Sequence, residues 1–552
     1  MVNISIGQSV INTAHNLSVS VSNPLKSINE EEVCFFCHTP HSSKPRISLW
    51  NKRNSGVMYM PYTSSTIKSA PGQPNGSAVL CLSCHDGTIA LGSVVSRDED
   101  VPLVGGVSVM PQGKANLGTD LSDDHPISII YDASLSSLNS ELVDPAILTG
   151  PVHLENDRLQ CTACHNPHQD LYGNFLTETN RNSDLCVTCH QKNGWSQTAH
   201  NTSNATWDGS GNNPWPHTPY TTVTENACEN CHRPHTASGH ARLLNYFREE
   251  ENCLYCHNGS VAEKDINADF NKQHSHNFTL TTNVHDPVEN IPVQTRHVEC
   301  IDCHNPHQAN NTNAEAPFAN GRIQGVPGVD TNGNAVMEIQ YEYELCYKCH
   351  ADSPDKPGSN IPRQLIQTNV RLEFDAVNPS FHPVEDMGVN PDVPSLIPPY
   401  SESSIIYCTD CHASSGSGAA AGPHGSVYNN LLKFNYETAD NTIESYAAYE
   451  LCYQCHDRNN IINNMGSEYG EKVHKTHIVD ENTPCSVCHD SHGIDAGQGN
   501  SINNSHLINF NTAVVRPSSG TSPRLEFIDN GNFSGECWLS CHGKNHRGKE
   551  YN

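Results

Sequence analysis

The chain is short of what an ordinary globular core or a basic binding surface requires. Lys and Arg number 31 against 60 Asp and Glu, a formal charge of −29 over 552 residues. So acidic a surface argues against nucleic acid and anionic lipid as partners, because both call for basic patches. Acidic runs such as Glu30–Glu32 and Glu249–Glu251 read as solvated faces. Only 36% of residues are hydrophobic and the mean hydropathy is −0.55. With 34 Pro and 37 Gly interrupting regular structure, side chains alone cannot build a conventional large core. No stretch approaches the roughly 18 apolar residues of a membrane-spanning helix. Met1-Val-Asn-Ile-Ser-Ile-Gly7 has neither a basic nor an apolar leader region. Methionine is scarce, with seven in all, and no cysteine stands outside a repeated motif.

Cysteine and histidine are what the chain has in quantity, 24 and 33 residues. Eleven motifs read Cys-x-x-Cys-His: Cys34/Cys37/His38, Cys81/Cys84/His85, Cys161/Cys164/His165, Cys186/Cys189/His190, Cys228/Cys231/His232, Cys253/Cys256/His257, Cys300/Cys303/His304, Cys346/Cys349/His350, Cys408/Cys411/His412, Cys452/Cys455/His456 and Cys485/Cys488/His489. A twelfth, Cys537-Trp-Leu-Ser-Cys541-His542, carries one extra residue between its cysteines. Zinc knuckles would not require a His after the second Cys in every case, and disulfides would require none. A thioredoxin-like redox motif would occur once. The pattern is that of covalent c-type haem attachment, in which two thiols add to the porphyrin vinyl groups and the adjacent His is the proximal iron ligand. Twelve haems c are therefore expected, the last on a longer loop. They would supply the missing core, so the apo-chain should be unfolded.

The motifs alternate in type. Odd-numbered sites often continue to a trailing His, as in His38-Thr-Pro-His41, His165-Asn-Pro-His168, His232-Arg-Pro-His235 and His304-Asn-Pro-His307. The ninth is followed by a Ser/Gly/Ala run before His424, and the eleventh by Asp-Ser-His492. Even-numbered sites are often preceded by Leu and lack the trailing His. The unit is a haem pair used six times. Expected segments are 1–150, 151–210, 211–290, 291–395, 396–470 and 471–552, for haems 1–2, 3–4, 5–6, 7–8, 9–10 and 11–12, within one continuous haem-organised body. The expected fold is low in regular structure, mostly coil with short helices at the motifs and a few small hairpins. Ile89–Val95 and Val101–Val109 are hairpin candidates. Asp330-Thr-Asn-Gly-Asn resembles part of a calcium loop but lacks its later Glu.

Twelve proximal His leave 21 for the opposite faces of the irons. No Met recurs at a fixed offset from a motif, so bis-His ligation and low potentials are expected. One candidate set is the trailing His: His41, His168, His235, His307, His424 and His492. A second lies upstream of or between pairs: His15, His125, His153, His217, His297, His382 and His477. His276 and His546 stand in reserve. His15, ahead of every motif, is free either to fold back or to reach a neighbouring subunit.

The segments Ala14-His15-Asn-Leu-Ser18, Cys34-Phe-Phe-Cys-His-Thr-Pro-His41, Cys81-Leu-Ser-Cys-His-Asp-Gly87 and Asp124-His125-Pro-Ile-Ser128 resemble the multihaem c-type cytochromes with doubled Cys-x-x-Cys-His motifs from metal-reducing prokaryotes. The resemblance runs the length of the chain as a repeat. It implies periplasmic or extracellular electron transfer to metal oxides, electrodes, partner cytochromes or partner cells. Some relatives polymerise into filaments in which an N-terminal-region His ligates a haem of the next subunit, and His15 occupies a comparable place. Covalent haem is attached outside the cytoplasm, so the numbering is expected to describe an exported chain whose signal has been removed. The expected role is a conduit, as a filament subunit or as a monomeric shuttle. A multihaem reductase is the weaker alternative, because no motif replaces its proximal His by Lys and the His surplus makes an open iron unnecessary.

Overall fold

The computed structural model describes residues 10–40, 49–276, 297–354, 356, 358–463, 473–531 and 533–551. The chain divides into two compact units, one of Met1–Cys256 with Thr282–Val288, the other of His257–Thr281 with Glu289–Asn552. His41 lies outside the described residues.

Regular structure is sparse, as the composition demands, and much of it forms at the motifs. Two of the longer helices, α1 (Gly76–His85) and α2 (Glu342–His350), each end on a motif histidine. In α2 the first turn carries Glu342 and Glu344 and the last carries Lys348 and His350, which complements the helix dipole. Glu344 also accepts from the backbone N–H of Tyr341 at 3.0 Å, closing the start of the helix. Elsewhere a motif is a single turn: Cys161–Cys164, Cys300–Cys303 and Cys408–Cys411 are α-helical, and Cys485–Val487 is 3-10. In eight motifs the N–H of the His donates to the carbonyl of the first Cys at 2.8–3.0 Å, as His38 does to Cys34 and His489 to Cys485. That one bond puts two thiols and an imidazole on one helical turn.

Apolar clusters are small and lie against the thiols. In the first unit Phe36, Leu91, Val101 and Leu103 pack beside Cys84, and Ile129, Val152, Leu159 and Ala163 beside Cys189. In the second, Tyr343, Tyr347, Phe374 and neighbours pack beside Cys408. Val487, Phe510, Phe527 and Leu539 pack beside Cys488, Cys537 and Cys541.

The stretches Ile89–Val95 and Val101–Val109 do not form the expected hairpins. Val101 donates to Gly92 at 3.0 Å, Leu103 bridges to Ser27, and Leu91, Val101 and Leu103 close over Phe36. Their apolar spacing serves burial, not a ladder. The calcium-like segment is the turn of a hairpin pairing Gly328–Val329 with Ala335–Val336. The Asp330 carboxylate there accepts from the N–H groups of Asn332 (2.9 Å) and Asn334 (2.7 Å), an Asx turn. The largest sheet among the described residues is C-terminal and antiparallel: β1 (Glu526–Gly531), β2 (Ser534–Cys541) and β3 (Lys544–Tyr551). It takes up the whole twelfth Cys pair in an extended strand.

Candidate haem centres

Histidine rings from distant parts of the chain meet in pairs at one spacing. Ring centres stand 6.1 Å apart in His15–His85, His38–His168, His165–His235, His304–His424 and His412–His492. They stand 6.2 Å apart in His474–His489 and His477–His546, and 6.3 Å in His125–His190 and His276–His350. The angle between rings meanwhile ranges from 13° in His38–His168 to 76° in His125–His190. Direct packing would not behave so, because stacked rings close in further than crossed ones. His15 and Phe175, which do stack, are 4.0 Å apart at 17°. A distance held constant while the angle varies is what a shared central atom imposes. Two imidazoles each bonded to a metal at about 2.0 Å place their ring centres roughly 6.3 Å apart at any rotation.

The other ring nitrogen is held in most of these residues. Nδ1 faces a backbone carbonyl in His15 (Pro167, 3.0 Å), His85 (Ala115, 2.6 Å), His165 (Asn174, 2.9 Å), His304 (Arg322, 2.8 Å), His412 (Asn430, 2.8 Å) and His489 (His506, 2.8 Å). Such a bond fixes the tautomer and turns a bare Nε2 toward the partner ring. Burial, as the largest cause, lowers the pKa of His190 to about 3 and of His412, His424, His474 and His489 to about 4. These imidazoles are neutral at physiological pH, as metal ligation requires.

Two rings rest on carboxylates instead: His235 Nδ1 on Asp124 and His492 Nδ1 on Glu373, at 2.9 and 2.8 Å. A carboxylate partner makes an imidazole a stronger donor and stabilises the oxidised metal. Glu373→Gln and Asp124→Asn are each expected to raise the potential of one site by tens of millivolts, roughly, and leave the others in place. Spectroelectrochemical titration of each variant against the parent checks this.

The pairs follow a rule. The motif His of an odd-numbered site faces the trailing His of the next odd site, as in His38–His168, His165–His235, His304–His424 and His412–His492. The motif His of an even-numbered site faces a His upstream of its pair, as in His85–His15, His190–His125 and His350–His276. The eleventh site has no following pair to supply a trailing His. His474, absent from the sequence candidates, faces His489 there. Its signal was the His474-Lys-Thr-His477 spacing, which puts two rings on adjacent turns beside a π-helical segment, Lys475–Asp480.

The remaining candidates are placed as follows. His382 is buried with Nδ1 on the Ser491 carbonyl at 2.6 Å and lies close enough to His456 to help depress its pKa. His217 directs Nε2 to the Glu229 carbonyl at 3.1 Å, and its buried Nδ1 has no hydrogen-bond partner among the described residues. His153 is exposed. His297 is 4.0 Å from Asp302. His307 is half-buried in the turn after the seventh motif, whose Asn305 side chain accepts from its N–H at 3.0 Å.

The thiols give the order of the sites. The first Cys of an even motif meets the first Cys of the following odd motif. Cys161 is pushed well above its ordinary pKa by Cys81 first and burial second, Cys186 by Cys228, Cys346 by Cys408 and Cys452 by Cys485. Within a pair the second cysteines are neighbours: burial first, then Cys84, raises Cys37 to about 12, and the same holds for Cys411 beside Cys455. Successive sites within each unit are therefore adjacent in sequence order.

Two attachment cysteines depart from the expectation that haem sites make up the interior. Cys34 and Cys349 are exposed, whereas the other motif cysteines are half-buried. For Cys349 the reason is its place on α2. That helix buries Tyr343, Glu344, Tyr347 and Lys348, and at 3.6 residues per turn Cys349 falls on the opposite face. It nevertheless keeps its neighbour in the pair. Burial first, then Asp302 and more weakly Cys349, raise Cys303 to about 12. The eighth site is thus open to solvent along its Cys349 edge, a correction to a fully enclosed haem.

Three stretches, residues 153–194, 217–262 and 398–460, match the doubled CXXCH motif family. They are the second, third and fifth haem pairs. By these motifs the chain is a multihaem c-type cytochrome. No curated protein matches it. No helix among the described residues is long and apolar enough to cross a membrane.

Proposed function

We propose that the chain is a dodecahaem electron conduit, exported from the cytoplasm, that delivers electrons to an outside acceptor such as a metal oxide, an electrode or a partner cytochrome. The support is the constant 6.1–6.3 Å spacing of the histidine pairs, together with cysteine contacts that put neighbouring sites in sequence order. Haem bound at these sites supplies one-electron exchange at iron. The chain's own residues do the rest. Each motif turn presents two thiols on one edge, and the motif His and its distant partner cap opposite faces, which leaves no open position for a substrate. The carbonyls behind Nδ1 hold the rings so that little reorganises when charge passes. Scarce Met and carboxylates behind His235 and His492 keep the potentials low.

Ligation supplies no joint between copies in this reading. His15 stacks on Phe175 and faces His85 of its own chain. That favours a conduit complete within one chain, and a filament would have to be joined by other surfaces. His15→Ala is expected to turn the second site high-spin in isolated particles, with particle size by light scattering and electron microscopy unchanged. For the conduit itself, the oxidised protein should be wholly low-spin by electron paramagnetic resonance, carry twelve haems by intact mass, and be reoxidised by ferric oxide after reduction. A high-spin signal in the purified wild type would overturn this in favour of a reductase with an open iron.

A further inference from the structure

The twelfth site is built unlike the others. Elsewhere a helical turn delivers the motif histidine. Here Cys537 and Cys541 lie on the extended strand β2, paired with β1 and β3. A strand spaces residues i and i+4 about 13 Å apart, against about 5–6 Å for i and i+3 on a helix. The thiol half of the site therefore departs from the turn geometry that fits the other motifs. His542 falls past the end of the strand at φ 44°, a conformation strained for a residue with a side chain. Its ring is already occupied: Nε2 meets the Asp440 carboxylate at 2.8 Å, and Nδ1 lies 3.5 Å from the Thr483 hydroxyl.

His546 is placed differently. It lies on β3 opposite Leu539, in the register that puts it on the same face as Cys541. Its ring has no hydrogen bond among the described residues and stands 6.2 Å from that of His477, within the narrow range of the other pairs. His477 Nδ1 meets the Val473 carbonyl at 2.8 Å, so its Nε2 is turned outward as in the other ring pairs. A cavity of about 610 Å³ is lined by His477, Cys541 and His546, together with Glu481 and Thr483. That size falls within the roughly 300–1,000 Å³ of cofactor pockets.

We infer that the twelfth haem has its iron held between His477 and His546, and that His542, the histidine of the motif, is not its ligand. This rests on the conduit reading for the presence of the haem and departs from it only in the ligand. His477 keeps the place of an upstream His serving the even site of its pair, and only the motif partner changes.

The test uses the full holoprotein and leaves Cys537, Cys541 and His542 intact for attachment. His546→Ala should retain twelve haems by intact mass and convert one iron in twelve to a high-spin form. His546→Met should stay low-spin and gain a methionine-to-ferric charge-transfer band worth one haem. A His546→Ala protein with twelve low-spin irons and an unchanged spectrum would overturn the inference while leaving the conduit intact. Eleven haems on the wild-type chain would overturn the twelve-haem count and the inference with it.

Discussion

Made in a cell that cannot attach haem, the chain should show no cooperative unfolding transition by circular dichroism and should be cleaved by protease throughout its linkers. The holoprotein should resist under the same conditions. The clusters explain the size of the effect. They contain three to six buried apolar residues each, and most lie against motif cysteines. A buried side chain of this kind contributes about 1.5–3 kcal/mol, while ordering each residue costs about 1–2 kcal/mol in backbone entropy alone. Half a dozen side chains cannot hold linkers as long as those between motifs, such as residues 86–160. With haem, every site ties two thiols and two distant imidazoles to one rigid apolar body, as metal does in small domains that are unfolded without it. An apo-chain with a sharp transition would show that the protein carries its own core.

The second large effect concerns which site a distal histidine serves. His424 follows the ninth motif in sequence, yet its ring faces His304 of the seventh at 6.1 Å and 14°. His424→Ala is expected to convert the iron attached at Cys300 and Cys303 to a high-spin form and to leave the one at Cys408 and Cys411 low-spin. His492→Ala should do the same to the ninth site, because His492 faces His412. The affected potential should rise by on the order of 100 mV or more, since losing an imidazole withdraws donation from the oxidised iron. Haem-peptide mapping combined with resonance Raman of each variant identifies the site. A change confined to the motif next in sequence would contradict the crossed pairing.

The attachment turns were legible because their chemistry is local. Five consecutive residues set two thiols and a ring, and one hydrogen bond closes the turn. How deeply each thiol sits was not legible, since the exposure of Cys349 depends on which face of α2 the rest of the unit covers. Ring pairing was legible only as a pool of candidates, since partners such as His38 and His168 are joined by contacts across the fold that no local pattern encodes. His474 was missed because its reason is positional: the last odd site has no successor. The last sheet was missed for a different reason. Arg-Leu-Glu-Phe occurs twice, within the helix Val370–Phe374 and again at 524–527 leading into β1. Phe374 packs with Tyr347, and Phe527 with Val487 and Leu539. The same four residues take the backbone that their burial partners demand, so propensity could not separate them. The expected hairpins at 89–109 failed likewise, because period-two apolar spacing was used against Phe36.

Crossed ligation also dictates when the protein can mature. An odd site in the first unit, such as that of His165, stays one ligand short until His235 has followed it out of the cytoplasm and folded back. Completion must trail emergence by one repeat, moving from the N-terminus like a zip. Only the final pair, served by His474 and His477 just ahead of it, closes without waiting for anything behind. A chain cut short after any earlier pair would therefore end with one of its irons half-dressed.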